Sequence, residues 1–237
     1  MDDVVSLVGV RATYEGERHA TLTGVTLSVA ATEQLAITGP NGAGKTTILE
    51  VINGLLPIAS GIVRTLGQEV TVASHRLRTQ IAYVPQNLFF SPDTPFLVRD
   101  VVLTARFGKT GTRRLFAASE DRRVEEALMA VGISDLGGRP VGRLSGGQQR
   151  KALLARALAQ EAKLLLLDEP TANLDPEAKQ EVAALVALVR RELGAAAVVV
   201  SHETGPLLDA SDRTVAVDSG RVVAETRIGD RVSALSH

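Results

Sequence analysis

The sequence predicts an α/β fold: a mostly parallel sheet covered by helices on both faces, an antiparallel β region near the amino terminus and an inserted α-helical lobe. Three observations lead to this prediction. Apolar and polar residues alternate loosely over Val4–Val29, all-apolar runs at Leu164–Leu167 and Ala195–Val200 are separated by a helical pattern, and helical periods fill 87–160. Strands that alternate with helices pair in parallel, because each connection crosses the sheet.

The amino-terminal half is predicted to form a strand, a loop and a helix, followed by further short strands. Leu35–Thr38 is a β-prone run that leads directly into a glycine-rich turn. Lys45–Asn53 then has a helical pattern, which Gly54 ends because glycine readily takes the left-handed conformation that closes a helix. Short mixed segments from 62 to 84 predict more strands, the last at Ile81–Val84.

Two helices of the second half carry end signals. Ser119 lies where a cap is expected, two acidic residues follow it in the first turn, and Gly132 comes after the apolar stripe. Farther along, Asp175 followed by Pro176 predicts a cap and a first helical residue, and Gly194 closes that helix. The all-apolar runs on either side of this helix suit inner positions of a parallel sheet.

Length and composition bound the function. With 237 residues, 45% of them apolar, the chain can bury one sizeable core. Basic and acidic residues nearly cancel to a net charge of −1, so no overall field is available to hold nucleic acid by its phosphates, and we expect no nucleic-acid partner. The absence of cysteine excludes disulfides and thiolate metal sites.

Two features concern membranes. The longest unbroken apolar run, Val182–Val189, is far below the ~20 residues that span a bilayer, so the chain is not expected to form a membrane pore itself. Met1, Asp2 and Asp3 lack the basic start and apolar stretch of a secretory signal. We therefore expect the protein to stay inside the cell.

The glycine-rich turn matches the phosphate-binding loop pattern and lies between a predicted strand and a predicted helix. Glycines let successive backbone N–H groups point at phosphates, and the helix amino terminus adds its positive dipole end. Lys45 is expected to reach the β- and γ-phosphates, and the Thr46 hydroxyl to bind the Mg²⁺ that bridges them. The alternative is an ordinary glycine-rich turn, and the motif alone does not identify the reaction. The predicted nucleotide-binding residues here are Gly39, Pro40, Asn41, Gly42, Ala43, Gly44, Lys45, Thr46 and Thr47.

Two adjacent carboxylates end the apolar run before Pro170. Asp168 and Glu169 thus lie at the carboxyl end of a buried strand, where ligands bind in open α/β sheets. Because side chains alternate along a strand, the two serve different tasks. We expect Asp168 to hold the Mg²⁺ shell and Glu169 to act as general base or to orient the attacking water. For an isolated pair, an acidic turn would be the preferred interpretation.

The four histidines differ in context. His202 follows a buried strand and is predicted to enter the same sheet edge as the carboxylates. A lone histidine is usually structural, but a position beside the γ-phosphate would give this one a polarising or sensing role. His19, His75 and His237 are scattered among polar residues, and we predict that they lie on the solvated surface.

The segment that narrows the class is Leu144–Arg150, which reads LSGGQQR. It resembles the signature sequence of ATP-binding cassette (ABC) transporter ATPases. The match extends to the order of the other motifs, with Gln86 before the helical lobe and Asp168–Glu169, Asn173–Asp175 and His202 after it. The resemblance therefore covers nearly the whole chain.

The resemblance implies that the signature of one subunit meets the γ-phosphate bound to the phosphate loop of another, so that two copies form a homodimer around two Mg-ATP molecules. Read alone, Ser145 is an ordinary helix cap beside two bare glycines. The resemblance also places Asn173, Leu174 and Asp175 at the dimer seam, although Asp175 is equally well explained as a helix cap. The predicted signature residues are Leu144, Ser145, Gly146, Gly147 and Gln148.

Two more side chains take their roles from the resemblance. Gln86 would touch Mg²⁺ or the attacking water and hinge the helical lobe; otherwise it is a polar residue after a strand. Tyr14 lies where the family usually places an aromatic ring that stacks on adenine; otherwise it is a half-buried strand tyrosine. Thr32 and Glu203 depart from the glycine and aspartate common in the family, without removing a catalytic group.

The family's organisation implies one P-loop NTPase-type ABC ATPase domain over 1–237. Its nucleotide-binding core, with the antiparallel β part, would take 1–86 and 161–237, and a helical signature subdomain would take 87–160. Such a subunit would drive separate membrane-spanning subunits from the cytoplasmic face of the membrane, together with a solute-binding protein.

The segment from Phe90 to Val102, with Arg106, Phe107 and Gly108 after it, is similar to ATPases of manganese and zinc importers, with iron-chelate importers close by. It would form the surface that docks on the membrane subunits. Cargo and transport direction are not fixed by the sequence. The arginine pairs at 113–114 and 122–123 are predicted to be a solvated helix face.

Three rival functions remain for comparison. A soluble ABC ATPase would usually carry two cassettes, a long coiled-coil insertion or another signature. A phosphotransferase would need an acceptor site and would not need the signature. A non-catalytic cassette would be expected to lose Lys45 or Glu169, and both are present.

Overall fold

The structure is a computed structural model that describes residues 3–17, 19–86, 90–107, 118–202 and 204–227. The predictions made for the following residues lie outside this part of the chain: Met1, Asp2, Asn87, Gly108, Arg113, Arg114, Glu203 and His237.

The strands of the described residues form two sheets. The four-stranded sheet is antiparallel, in the order β2-β1-β4-β5, and the six-stranded sheet has the order β10-β9-β3-β8-β7-β6. The second sheet is parallel from β9 to β6, and only its edge strand β10 is antiparallel. The strands are β1 Val5–Ala12, β2 Leu22–Val29, β3 Gln34–Thr38, β4 Ile58–Thr65, β5 Gln68–Glu69, β6 Ile81–Val84, β7 Leu164–Asp168, β8 Ala196–Val200, β9 Arg213–Asp218 and β10 Arg221–Arg227.

The helices lie between these strands, and the described residues between β6 and β7 form helices and turns without a ladder strand. The boundaries of the helical subdomain stay a prediction. Short 3-10 turns occur at Thr104–Arg106, Ser134–Leu136 and Val141–Arg143. The α-helices are α1 Lys45–Asn53, α2 His75–Arg78, α3 Val98–Leu103, α4 Ala118–Ala130, α5 Gly146–Ala159, α6 Pro176–Leu193 and α7 Pro206–Asp209.

Alternation along the inner strands divides the core into two clusters. In β7, Leu165 and Leu167 face the cluster that contains α5, α6 and the helices between β6 and β7. Leu164 and Leu166 face the other cluster, which contains α1 and the antiparallel sheet. Every residue of β7 and β8 is buried, because successive side chains of a strand point to opposite faces and both faces are covered.

Most predicted helix ends are confirmed, and one is wrong. α1 and its glycine cap Gly54 match the prediction, as does α6 between its caps Asp175 and Gly194. Ser119 is not a cap, because α4 already includes Ala118 and alanine favours the helix strongly. Among the described residues, no helix is both long and apolar enough to cross a bilayer.

Three strand ends bring the predicted functional segments to one edge of the six-stranded sheet. The phosphate loop leaves the carboxyl end of β3, Glu169 follows β7, and His202 follows β8 after one residue. These strands are neighbours in the order β3-β8-β7, so their carboxyl ends lie side by side. β6 lies next to β7 and leads to Gln86 at the same edge.

Candidate functional site

The phosphate loop requires glycine at two positions. Gly39 has a φ of 141°, and a Cβ atom there would lie 2.0 Å from the carbonyl oxygen of Val217 in β9. Gly44, the residue before α1, has a φ of 98° and no side chain caps the helix there. The loop thus presents an uncapped helix amino terminus, which is a ready site for an anion.

Lys45 is buried inside this loop, with 6% of its surface exposed. Its Nζ donates hydrogen bonds to the carbonyl oxygens of Gly39 at 2.9 Å and Pro40 at 2.8 Å. These bonds hold the ammonium group across the loop, at the amino-terminal end of α1. The positive charge and the helix dipole therefore reinforce each other at one place.

Thr46 and Asp168 link the phosphate loop to β7. The Thr46 hydroxyl donates a 2.8 Å hydrogen bond to Oδ2 of Asp168, whereas the other oxygen, Oδ1, is buried without a hydrogen-bond partner. Burial raises the pKa of Asp168, and the bond from Thr46 opposes that rise. A buried carboxylate oxygen without a partner is costly, and Mg²⁺ takes such oxygens as ligands. These two residues therefore fit a magnesium ion.

Glu169 lies where three strands meet and has 7% of its surface exposed. Its Oε2 accepts a 2.6 Å hydrogen bond from Nε2 of Gln86, and its Oε1 lies 2.8 Å from Nδ1 of His202. Both carboxylate oxygens are therefore fixed by side chains from neighbouring strand ends. The backbone of Glu169 is unusual, because its φ is 48°, a left-handed value that residues other than glycine adopt at a cost.

Tyr14 is half-buried and bonded to α1. Its hydroxyl donates a 2.6 Å hydrogen bond to Oε2 of Glu50 and lies 3.2 Å from Oγ1 of Thr47. Burial, and then the hydrogen bond to Glu50, raise the pKa of Tyr14 to about 12. The contact with Glu50 was not predicted, because nothing in the local pattern relates residues from a strand region and a helix that lie 36 positions apart.

Most of the predicted nucleotide residues and all of the predicted catalytic residues line one cleft of about 620 Å³, whereas Gly39, Pro40 and Ala43 do not line it. Among the described residues, the cleft also includes four from the segment between β1 and β2 that were not predicted to line it. Of these, His19 is exposed as predicted, but it lines the cleft rather than the general surface. The predicted members are Tyr14, Asn41, Gly42, Gly44, Lys45, Thr46, Thr47, Gln86, Glu169 and His202, and the additional ones are Glu17, His19, Ala20 and Thr21.

The signature segment lies on a second cleft, of about 560 Å³. Ser145 caps α5: its side chain accepts a 3.3 Å hydrogen bond from the backbone of Gln148, whose side chain accepts one of 3.1 Å from Ser145. Asn173–Asp175 line the same cleft, and Asp175 caps α6 by accepting a 2.9 Å bond from Ala178. Among the residues that the structure describes, none lines both clefts. Within one chain, the signature is thus separate from the phosphate-loop cleft.

An apolar groove of about 550 Å³ lies on the helical side of the protein. It is lined by Phe90, Phe96 and Phe107, together with Leu103 and Leu153. Phe96 is 59% exposed and Phe107 is 46% exposed, which is unusual for large apolar side chains on a free surface. The groove includes the segment that the sequence analysis interpreted as a docking surface.

Comparisons with known proteins agree with the sequence resemblance. A family model described as ABC transporter matches residues 22–172. A zinc transport system ATP-binding protein of Treponema pallidum is 39% identical over 190 residues, which cover 80% of this chain and 69% of that protein. A hemin import ATP-binding protein of Streptomyces coelicolor is 38% identical over 223 residues, covering 94% of this chain and 78% of that protein.

The fold is similar to solved ATP-binding cassettes. A dimeric cassette structure in a post-hydrolysis state, bound to ADP and Pi, superimposes with a TM-score of 0.83 at 26% identity and covers 94% of this chain and 98% of that one. The predicted α/β fold class of the P-loop NTPase type is thereby confirmed.

Proposed function

This chain belongs to the ABC transporter family, and we propose that it is the ATP-hydrolysing subunit of an importer whose membrane-spanning subunits are separate chains. One observation carries the proposal. Lys45, Asp168, Glu169 and His202 come together around the phosphate loop, whereas Ser145 lies on a different cleft of the same chain. A single chain thus holds the parts for hydrolysis and presents the signature elsewhere.

The phosphate-loop cleft would bind ATP with its phosphates at the start of α1. Lys45 would exchange the carbonyl oxygens of Gly39 and Pro40 for the β- and γ-phosphates, which are stronger partners because they are charged. Tyr14, which lines the same cleft, would stack on the adenine ring. Its bonds to Glu50 and Thr47 would hold the ring in place.

Thr46 and Asp168 would hold Mg²⁺, since one is a hydroxyl and the other has a buried carboxylate oxygen without a partner. When bound, the ion neutralises charge on the β- and γ-phosphates. The side-chain nitrogen of Gln86 donates to Glu169, which leaves the side-chain carbonyl oxygen as the atom that could bind magnesium. Its assignment as a ligand stays a prediction.

Glu169 would act as the general base. A water molecule beside it attacks the γ-phosphorus, its proton passes to the carboxylate, and the bond between the γ-phosphorus and the bridging oxygen of ADP breaks. Gln86 and His202 hold the two oxygens of Glu169, which fixes the direction of the carboxylate. His202 has 39% of its side chain exposed and lines the same cleft, so it would be accessible to a γ-phosphate bound there.

Two copies of the chain would close around two ATP molecules. The signature helix α5 presents its amino terminus to solvent in one copy, and an anion is the partner that such a terminus favours. The γ-phosphate on the other copy supplies that anion. A twofold dimer then completes both sites with the same surfaces.

The apolar groove would dock a cytoplasmic segment of the membrane-spanning subunits. Its exposed aromatic side chains, Phe96 and Phe107, suit an amphipathic helix with an apolar face. Docking of this kind would place the subunit at the cytoplasmic face of the membrane. A solute-binding protein outside the membrane would complete an importer.

The cargo proposed is a metal ion or a metal chelate. The support is that the relatives described above are a zinc transport protein and a hemin import protein, both above 35% identity over most of this chain. The cargo crosses the membrane subunits and not this chain, so the cleft geometry does not enter the assignment.

The proposal is tested by ATP hydrolysis of the purified full chain with and without Mg²⁺. We expect release of phosphate that requires Mg²⁺, and a loss of about 100-fold or more in Glu169→Gln with ATP binding retained. Glu125→Gln, which removes an exposed carboxylate of α4 outside both clefts, controls for the loss of a negative charge. Hydrolysis by Glu169→Gln at the rate of the unmodified chain would refute the assigned base.

A further inference from the structure

The loop between β7 and α6 connects two functional residues. It begins at Glu169 and ends at Asp175, the cap of α6. Its backbone has two residues other than glycine with positive φ, Glu169 at 48° and Asn173 at 59°. Asparagine adopts such values readily, but they are disfavoured for glutamate, so the surrounding contacts must hold Glu169 in this conformation.

One of those contacts comes from the signature helix. Arg150 lies in the second turn of α5 and is half-buried. Its Nη2 donates a 2.8 Å hydrogen bond to the carbonyl oxygen of Ala172, in the middle of the loop. Because the donor is charged, this bond is stronger than one between neutral groups. It joins two segments that lie 22 positions apart in the chain.

Ala172, whose carbonyl oxygen accepts the bond from Arg150, is also hydrogen-bonded to the proposed catalytic residue Glu169 through the backbone of the loop. The backbone nitrogen of Ala172 donates a 3.1 Å bond to the carbonyl oxygen of Glu169, and the nitrogen of Leu174 donates one of 3.4 Å to Thr171. Glu169 is in turn anchored to β8 by its backbone bond to Val200 at 3.0 Å. Ala172 is therefore linked directly to Glu169 by one backbone hydrogen bond.

We propose that Arg150 is a positioning residue, which fixes the loop of the catalytic base to the signature helix. The inference rests on the proposed function. In the closed dimer, α5 of a chain acts on the nucleotide of the partner, whereas Glu169 of that chain acts on its own nucleotide. Arg150 thereby couples signature engagement at one site to the position of the base at the other.

The chain offers a matched control. Arg190 is also half-buried and also donates to a backbone carbonyl, that of Thr32, at 2.6 Å, with a second bond of 2.7 Å to Oε1 of Gln34. It lies on α6 and lines neither the phosphate-loop cleft nor the signature cleft. Arg190→Met removes the same kind of interaction away from the site. Arg150→Lys retains the charge and one donor, and serves as the conservative variant.

The experiment compares these variants in the full chain by Mg-ATP hydrolysis, by fluorescent ATP-analogue affinity and by amide hydrogen exchange. Arg150→Met is expected to lower kcat about tenfold with KM and analogue affinity unchanged within about twofold, because the base is displaced while the binding loop is intact. Arg150→Lys should regain most of the loss. Exchange of the amides at 171–174 should rise in Arg150→Met and stay unchanged in Arg190→Met.

A kcat of Arg150→Met within about twofold of the unmodified chain would overturn the proposal. So would unchanged exchange at 171–174, or a rise that extends equally through β7 and β8, which would show a general loss of structure. The exchange measurement needs no turnover. An unmodified chain without Mg-dependent hydrolysis would therefore count against the proposed function, while the tie between Arg150 and the loop is still decided by exchange.

Discussion

The amino termini of α1 and α5 both face open clefts, and they are built differently. α1 begins after Gly44, no side chain caps it, and the buried ammonium of Lys45 lies beside it. α5 begins after exposed Ser145, which forms reciprocal hydrogen bonds with Gln148. An uncapped terminus keeps its N–H donors for a ligand, whereas a capped one has already committed one of them. We infer that α1 binds nucleotide by itself and that α5 contributes only when another chain brings the nucleotide to it.

Lys45→Ala tests the stronger of the two termini. Removal of the ammonium group leaves the phosphates without their only side-chain cation from the loop, and we expect ATP affinity or turnover to fall about 100-fold or more. Fluorescent ATP-analogue titration and phosphate release measure the two quantities. Lys163→Ala, outside both clefts, controls for the loss of a lysine. Retention of both quantities in Lys45→Ala would remove the distinction between α1 and α5.

Ser145→Arg tests the weaker terminus. A long cation at the start of α5 should block closure of the dimer, so hydrolysis falls about 100-fold while ATP-analogue affinity stays within about twofold. Ser145→Ala is the milder control, because it removes only the cap and costs about 1 kcal/mol of stability. Normal hydrolysis in Ser145→Arg would show that the signature does not meet a nucleotide.

Structural features set by neighbouring residues in the sequence could be predicted, whereas features set by contacts between distant segments could not. α1 and α6 were predicted with correct ends because their caps, Gly54, Asp175 and Gly194, act within one turn of the helix they close. The same holds for the cap of α5 at Ser145. β7 and β8 were predicted because a run of apolar residues suits only a strand covered on both faces.

Features that depend on distant partners were missed. The sequences of β9 and β10 contain no strong apolar run that would predict a strand. β9 is positioned by its pairing with β3, and this pairing also brings Val217 against Gly39. The short helices α2 and α7 were likewise not predicted. Within the site, the contacts of Tyr14 with Glu50 and of Arg150 with Ala172 join segments whose proximity no local pattern encodes.

Tyr14, which is hydrogen-bonded to α1, is expected to make the stability of the fold depend on pH. The pKa of Tyr14 is raised from 10.0 to about 12, chiefly by burial, so the folded chain holds this proton more tightly than the unfolded chain. Its contribution to stability is therefore complete below pH 10 and is lost as the pH rises towards 12. Because the side chain is partly exposed, we expect a loss of about 1 kcal/mol over this range.

Urea unfolding of the unmodified chain and Tyr14→Phe at several alkaline pH values measures this contribution. The free energy of unfolding of the unmodified chain should fall relative to that of Tyr14→Phe as the pH rises from 10 to 12. A constant difference would show that the hydroxyl makes no bond that depends on its proton.

Thr32 lies in the turn that precedes β3, the strand that leads into the phosphate loop. It has a φ of 61°, which is strained for a β-branched residue. Thr32→Gly should raise the free energy of unfolding by roughly 0.5–1 kcal/mol, after subtraction of the backbone entropy that glycine adds. Urea unfolding measures the change, and Thr13→Gly, at an ordinary φ, should instead destabilise the chain. A loss of stability in Thr32→Gly would contradict the strain.

The central claim is that the phosphate loop of one chain and the signature of another enclose the same nucleotide. The chain has no cysteine, so pairs can be introduced without background. Asn41 is exposed in the phosphate loop, and a side chain at Gly147 would meet no atom within 4 Å. In the Glu169→Gln background, Asn41→Cys with Gly147→Cys should be linked by a short bismaleimide into a covalent dimer when Mg-ATP is present. Neither single-cysteine variant should give this product, and a double variant that stays monomeric in Mg-ATP, or is linked equally without it, would contradict the account.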